Sequence, residues 1–599
     1  MSTINWVPIP GKIETRWTKD VDPVSPFPEY PRPQLTRPEW INLNGLWNYA
    51  ILPSQYDHPN HYQGQILVPF PVESALSGVG KALLPEERLW YRHNFDLPSD
   101  WKHQRVILHF GAVDWQTDVW CNGHHLGQHQ GGYDPFSFEL TTFLRYGAEN
   151  ELVVKVYDPT SEGQQERGKQ TLKPGFVFYT AVSGIWQTVW LEPVPEIFIQ
   201  QVSLTPSIEP ARLRINTSLS DNLENGTIQV LIKDGGLTLQ QVVGMSQEEV
   251  IIELPEAHLW SPDDPNLYDL EISLLQDNSV IDRVGSYCGF REISLQKDEG
   301  GIPRIYLNRK QLFQYGPLDQ GYWPDGLYTA PTDEALKDDI EFCKSLGMNM
   351  IRKHIKVESA RWYYHCDRLG MLVWQDMPCG GKVPHTLVLG MGFLLNLKIR
   401  DDQRYHWFGR EAPQVRENFK RELQAMMKNL HNHPSIVVWV PFNESWGQFN
   451  AREIGDWVKS SDPTRLVDVA SGWFDQGNGD IYSIHKYVGP AIPRLEKERA
   501  VALSEFGGIG LKVEGHLWQE EKLFAYRMVK TSEELTNWYL NLMDKLMTLK
   551  KMGLVAAIYT EICDVEYEIN GFLTYDREVL KMDREQIQAA HRQLLNSDQ

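Results

Sequence analysis

No apolar run in this 599-residue chain approaches the ~18 residues that a membrane span requires. Its first residues, Met1-Ser-Thr-Ile-Asn-Trp6, lack the basic stretch and apolar core of a secretory leader, so a cytoplasmic location is expected. Positive charge is scarce: 58 Lys and Arg stand against 79 Asp and Glu, for a formal net charge of −21. A nucleic-acid partner, which needs a basic stripe to meet phosphates, is thereby excluded, and no membrane partner is expected. Cysteine is sparse and unpatterned. Cys121, Cys288, Cys343, Cys366, Cys379 and Cys563 show no C-x-x-C spacing and read as reduced, buried thiols. H-E-x-x-H and other clustered ligand sets are missing, so neither a metal nor a cofactor is expected. A phosphate loop is also missing. Gly78-Val-Gly-Lys81 has part of the pattern, but Ala82 replaces its Ser/Thr and Ala75 its first Gly.

Aromatic residues are plentiful, at 11% with 21 Trp. Such rings fill large cores, and they also stack on the C–H faces of sugars. At ~100–200 residues per domain, the length predicts about three to five domains. Residues 1–38 are Pro-rich and read as an extended arm. Residues 39–195 hold short alternating runs such as Val106–Phe110, Thr117–Trp120 and Leu152–Val156, with turn signals such as Asn122-Gly123 between them. They predict a β-sandwich. A second β region, 196–295, has the length of an immunoglobulin-like sandwich.

From residue 296 to 599 the texture changes to apolar strands alternating with helical patterns. Eight strands are predicted: Gln311–Tyr315, Asn349–His354, Met371–Asp376, Ile436–Glu444, Arg465–Ser471, Ile481–Tyr487, Val501–Phe506 and Val555–Glu561. Thr332 is placed to cap one helix, and Thr531 with Glu534 to box another. Eight such repeats predict a (β/α)₈ TIM barrel, whose chemistry sits at the C-terminal strand ends. Those ends carry Arg352, His354, Asp376, Asn443, Glu444, His485, Tyr487, Glu505, Tyr559 and Glu561. Any one alone reads equally as a structural ion pair. Together they point at one mouth.

Two carboxyl groups facing each other across a mouth suit glycosidic cleavage by double displacement. Glu444 and Glu505, on the fourth and seventh strands, are the candidates. They need different proton affinities, and Arg352 and Tyr487 are donors able to keep Glu505 ionised. The Asn443 amide is the type of group that binds a sugar hydroxyl.

His431-Asn-His-Pro-Ser-Ile-Val-Val-Trp439, followed by Asn443-Glu444-Ser445, resembles the acid/base signature of glycoside hydrolase family 2, the β-galactosidase, β-glucuronidase and β-mannosidase family. Ser504-Glu-Phe-Gly507 is similar to its nucleophile segment, and Arg352-Lys-His354 to its second-strand motif. Leu43–Trp47, Trp90-Tyr-Arg92, Asn122-Gly123 and Ser183–Gln187 resemble its N-terminal domain. The resemblance spans roughly Pro38 to Arg577. It implies a galactose-binding-like jelly roll, an immunoglobulin-like sandwich and a catalytic barrel. It also implies a retaining mechanism, with Glu444 as acid/base, Glu505 as nucleophile, Asn443 on the sugar 2-hydroxyl and Tyr487 orienting the nucleophile.

Departures narrow the substrate. His354 is followed by Ile355-Lys356 rather than Tyr-Pro. Asn570-Gly-Phe572 lacks the Lys with which family β-glucuronidases grip a carboxylate, and Gln375-Asp-Met-Pro378 lacks the Glu-x-His that binds Mg²⁺ in some β-galactosidases. An exo-acting, β-galactosidase-like enzyme is the leading expectation. Mannoside, glucoside and arabinoside specificities, a less favoured glucuronide specificity, a transglycosidase and a non-catalytic carbohydrate-binding protein are the alternatives. His431 and His433 read as structural. The long loop from Pro378 to Ala412, with Arg404–Phe408, reads as a lid or aglycone platform, and Trp518 as a stacking ring on the leaving-group side. A carbohydrate is the expected partner, and a homo-oligomer is left open.

Overall fold

A computed structural model describes residues 6–381, 399–487 and 489–596. The expected loop from Pro378 to Ala412 therefore lies partly outside the described residues. Two antiparallel sheets form the first domain. Gly45–Pro53, Glu87–Phe95, Asn150–Tyr157 and Gln116–Cys121 occupy the middle of a six-stranded sheet. Arg105–Phe110 and Val189–Val194 are central to a four-stranded one. Asn150–Tyr157 alternates buried and half-buried residues along its whole length, the period-2 signature of a strand with one face in a core. Leu152, Val154 and Val156 meet Trp47, Tyr91 and Leu108 in that core. The second domain pairs a three-stranded sheet with a four-stranded one, and Ile228, Val230 and Ile232 face inward.

Eight parallel strands then make the barrel: β1 Gln314–Asp319, β2 Met350–Lys353, β3 Leu372–Asp376, β4 Ile436–Val440, β5 Leu466–Val467, β6 Ile481–Lys486, β7 Ala500–Phe506 and β8 Leu554–Tyr559. Their pairing order is β5-β4-β3-β2-β1-β8-β7-β6. Phe442–Asn443 extends β4 and pairs with Ala470–Ser471, which extends β5 and contacts β6 to bring the ring near closure. Thr332 and Thr531 accept the backbone N–H of Ala335 and Glu534, as the capping patterns predict. No helix among the described residues is long and apolar enough to cross a membrane.

Three strand expectations shift. β1 begins at Gln314, because Lys310–Gln311 folds back on Tyr306 and Leu307 through a turn at Asn308 and Arg309, both at positive φ. β8 ends at Tyr559, two residues before Glu561. Glu444 itself leaves the strand geometry of β4.

The arm is tied down along its length. The Thr15 and Thr18 hydroxyls donate to Asp325 Oδ2 at 2.6 Å each, in the barrel. Arg32 reaches Glu192 of the first domain at 2.9 Å. Thr36 pairs backbone to backbone with Gly285, and Arg37 pairs with Asp282, both in the second domain. Residues 6–38 thus stitch all three domains together.

Candidate active site

Arg352, on β2, is wholly buried and organises the mouth. Its Nε and Nη2 donate to the two oxygens of Asp376 on β3, each at 2.9 Å. Nη2 also donates to Asn443 Oδ1 at 2.8 Å, and Nη1 to Glu505 Oε1 at 3.3 Å and the Ser504 carbonyl at 3.0 Å. Burial alone would lower its proton affinity, but Asp376 and Glu505 outweigh burial and hold it well above the usual guanidinium range. Asp376 also accepts from His354 Nδ1 at 3.0 Å. Burial, with Lys169 adding to it, pushes the His354 imidazole far down, so it is neutral. Asp376 and His354 therefore set the geometry of Arg352 and of one another.

Glu505 receives the Tyr487 hydroxyl on Oε2 at 2.6 Å. Burial, then Glu444 and Glu505, raise the Tyr487 phenol far above its ordinary value, so it keeps its proton. Glu444 Oε1 lies 3.0 Å from the same hydroxyl and 2.8 Å from His485 Nδ1. One phenolic proton serves one oxygen, and the shorter contact gives it to Glu505. Burial raises Glu444, but the His485 hydrogen bond and charge, Lys169 and Tyr487 outweigh it and hold Glu444 below the usual carboxyl range. Oxygen and nitrogen atoms of Glu444, His485 and Glu505 lie within 4.8 Å of one another. The trio offers three ligand atoms to a cation, yet the Arg352 guanidinium already faces Glu505, which opposes one.

Backbone geometry aims these groups. Glu444 and Ser445 both sit at positive φ, +50° and +62°. That left-handed kink costs free energy in a non-glycine residue and ends β4 abruptly. The Glu444 N–H is held by the Ser471 carbonyl at 2.9 Å. On β7 the register slips against both neighbours around Glu505. Gly507 follows at φ +92°, and a Cβ there would come within 2.3 Å of the Tyr559 ring. The segment Ser504-Glu-Phe-Gly507 needs its glycine for that reason.

The first domain closes the other wall. Arg410 of the barrel and Glu166 of the first domain form a fully buried bidentate pair, at 3.0 and 2.6 Å. Gly168 packs against Tyr328 and the Ile355 carbonyl. Lys169 lies 4.0 Å from Glu568 with its ammonium over the Tyr179 ring, and its charge reaches Glu444, His354 and Glu561. Tyr179 donates to Glu568 at 2.6 Å and approaches Glu561 at 3.1 Å, where Gln320 also donates at 3.2 Å. Burial and the neighbouring Glu568 push Glu561 well above its ordinary value.

Arg352, His354, Asp376, Asn443, Glu444, His485, Tyr487 and Glu505 are thus gathered at one mouth. Glu561 joins a buried cluster with the first domain instead. Tyr559 turns away into the core among Phe506, Tyr539 and Phe572, its oxygen accepting the Ile509 N–H at 3.4 Å. Trp518 packs edge-on against Tyr575 under the Lys12 ammonium of the arm, where this contact already occupies it. His431 contacts Thr205, and His433 Nδ1 sits 2.6 Å from Asp367, both structural. Asn432 between them caps Val202 and Leu204 of the second domain. Lys169 and Tyr179 carried no sign in the sequence, because they belong to another domain; Gln320 directly follows β1 and was missed because that strand was expected to end at Tyr315.

Residues 50–195 match the sugar binding domain of glycosyl hydrolases family 2, 197–291 its central domain, and 305–503 its TIM barrel domain. A β-glucuronidase of Bacteroides fragilis is 28% identical over 472 residues, covering 72% of this chain and 61% of its own. A β-galactosidase of Thermoanaerobacter pseudethanolicus is 27% identical over 371 residues, covering 59% and 44%. The chain thus spans about half the length of these curated relatives. The fold is shared with a β-D-glucuronidase structure from Dictyoglomus thermophilum, at TM-score 0.72 and 18% identity, covering 94% of this chain and 98% of that one. It is also shared with a β-galacturonidase from Eisenbergiella tayi, at 0.69 and 18%, covering 95% and 100%. The three domains occur here in sequence, with the expected jelly roll, immunoglobulin-like sandwich and TIM barrel, and the chain belongs to glycosyl hydrolase family 2.

Proposed function

We propose that this protein is a retaining, exo-acting β-glycosidase. The observation that carries the reading is the Tyr487 hydroxyl, 2.6 Å from Glu505 and 3.0 Å from Glu444, which ties two close carboxyls with unlike surroundings. Glu505, faced by Arg352 and Tyr487, attacks the anomeric carbon. The glycosidic C–O bond breaks as Glu444 protonates the leaving oxygen. Glu444 then takes a proton from water, which displaces Glu505 and frees the sugar. His485 Nδ1, 2.8 Å from Glu444 Oε1, is the neighbouring group within reach to exchange a proton with it. Asn443, its Oδ1 held by Arg352, offers its NH₂ to a sugar hydroxyl.

A neutral sugar of the galactoside type is favoured. Phe572 is buried in the core, and Asn570 donates to Glu568 at 3.0 Å, so that stretch offers no cation. Lys169 supports a second reading, a uronide, because it brings an ammonium toward the mouth from the first domain. Chromogenic β-galactoside and β-glucuronide, with the other β-glycosides, separate the two. Glu505→Ala tests the mechanism: turnover should fall by roughly four orders of magnitude or more. Azide should restore part of it and yield an α-glycosyl azide. Near wild-type turnover would remove Glu505 from the mechanism.

A further inference from the structure

Flat rings border Glu444. Trp446, two residues beyond it, lies against Phe178 of the first domain with centroids 5.0 Å apart and planes 6° apart. A second series starts at Tyr487, whose hydroxyl touches both carboxyls. Tyr526 stacks on Tyr487 at 3.7 Å and 4°, Phe524 meets Tyr526 at 5.1 Å, and Phe176 meets Phe524 at 4.1 Å. Phe176 is 56% exposed, while Phe178, Trp446, Phe524 and Tyr526 are half-buried. The rings lead from solvent to the catalytic pair.

Their positions are fixed by backbone. Gly175 and Phe178 exchange N–H···O bonds at 2.9 and 3.1 Å, so Phe176 rides the tip of a tight turn. Phe524 is bonded to Tyr567 and Ile569 at 2.7 and 2.9 Å. Rings needed only to hold two domains together would be buried between them. Here Phe176, Phe178, Trp446, Phe524 and Tyr526 all keep part of their surface open, as a stacking platform requires.

We propose that these rings form the leaving-group subsite, and that the leaving group has a flat apolar face, either an aryl ring or the C–H face of a second sugar. The inference rests on Glu444 being the acid. The acid stands next to the leaving oxygen, so what flanks Glu444 flanks the leaving group. The polar groups held by Arg352 then face the sugar that is cleaved off, and the rings face what it is cleaved from. The site is polar on one side of the scissile bond and aromatic on the other.

The test uses three glycosides of whichever sugar the wild-type protein accepts: methyl, 4-methylumbelliferyl and a disaccharide. Comparing Phe176→Ala with wild type on each substrate cancels the intrinsic reactivity of the leaving groups. The expected result is a loss in kcat/KM of roughly three- to tenfold on a flat leaving group, carried by KM and absent from the methyl glycoside. Phe178→Ala should show the same selectivity. A loss confined to the umbelliferyl substrate identifies an aryl ligand, and one confined to the disaccharide a saccharide. Equal ratios on all three substrates in both variants would overturn the subsite and leave the catalytic reading standing. A wild-type protein inert on every glycoside would overturn both. Free 4-methylumbelliferone as inhibitor gives a readout apart from catalysis, and its inhibition constant should rise in Phe176→Ala if the ligand is aryl.

Discussion

The two walls of the mouth are built differently. The barrel wall places Arg352, Asp376, Asn443, Glu444 and Glu505 on or beside paired parallel strands, each hydrogen-bonded to its neighbours. The first-domain wall places Glu166, Lys169, Phe176, Phe178 and Tyr179 on a segment with little regular structure, held by contacts to the barrel. Reacting atoms need positions good to about half an ångström, which rigid strands supply. Contacts with the rest of a substrate tolerate more freedom and vary more readily on a connecting segment. Under the proposed function, chemistry belongs to the barrel wall and contact with the leaving group to the first-domain wall.

Four changes would break or sharpen that contrast. The largest effect is expected for Glu444→Ala, on the chemical wall. General acid help matters most for a poor leaving group, so a disaccharide should lose roughly 10²–10⁴-fold and an activated aryl glycoside much less in the first step. The covalent intermediate should accumulate, giving a burst of phenol, a slow steady rate and a lowered KM. Azide should speed the slow phase and yield a β-glycosyl azide. Equal losses on both substrates, without a burst, would make Glu444 structural.

Next comes the joint between the walls. Glu166→Gln leaves Arg410 buried without its counter-charge, which should cost about 3–5 kcal/mol and show as a lower Tm. An unchanged Tm would mean that the two walls are not coupled through this pair.

A smaller effect is expected from His485→Gln. His485 holds Glu444 below the usual carboxyl range, so its removal lets burial raise Glu444. In kcat/KM the basic limb marks loss of the acid proton in the free enzyme. That limb should therefore move to higher pH while the protein stays folded. A profile that only scales down would leave His485 a packing role.

EDTA should have the smallest effect, with kcat unchanged within error. A loss reversed by Mg²⁺ would show that the mouth uses a cation at the carboxylates.

Legibility followed the same division. Alternating runs and eight apolar strands announced the domain order, because backbone periodicity is written residue by residue. The carboxylates were legible because a polar residue at the end of a buried strand is costly and therefore informative. Tyr559 and Glu561 belonged to the same pattern, but the structure places them apart from the other strand-end residues. β8 stops at Tyr559, so Tyr559 packs inward and Glu561 turns toward Tyr179. The contacts of Trp518 with Tyr575 and Lys12 were not legible, because an aromatic residue has the same letter whatever it packs against. Lys169 and Phe178 could not be found, since their partners lie more than 250 residues away and follow no repeat.

The arm has a further consequence, for the order in which the molecule is made. Thr15 binds Asp325, a partner 310 residues later in the chain. At ribosomal rates of ~5–20 residues per second, the arm waits roughly 15–60 s before that partner is synthesised. The first sandwich, complete by residue 195, has time to fold in that interval. The arm, translated before both sandwiches, is therefore a segment whose full set of contacts is completed only after the barrel has begun to form.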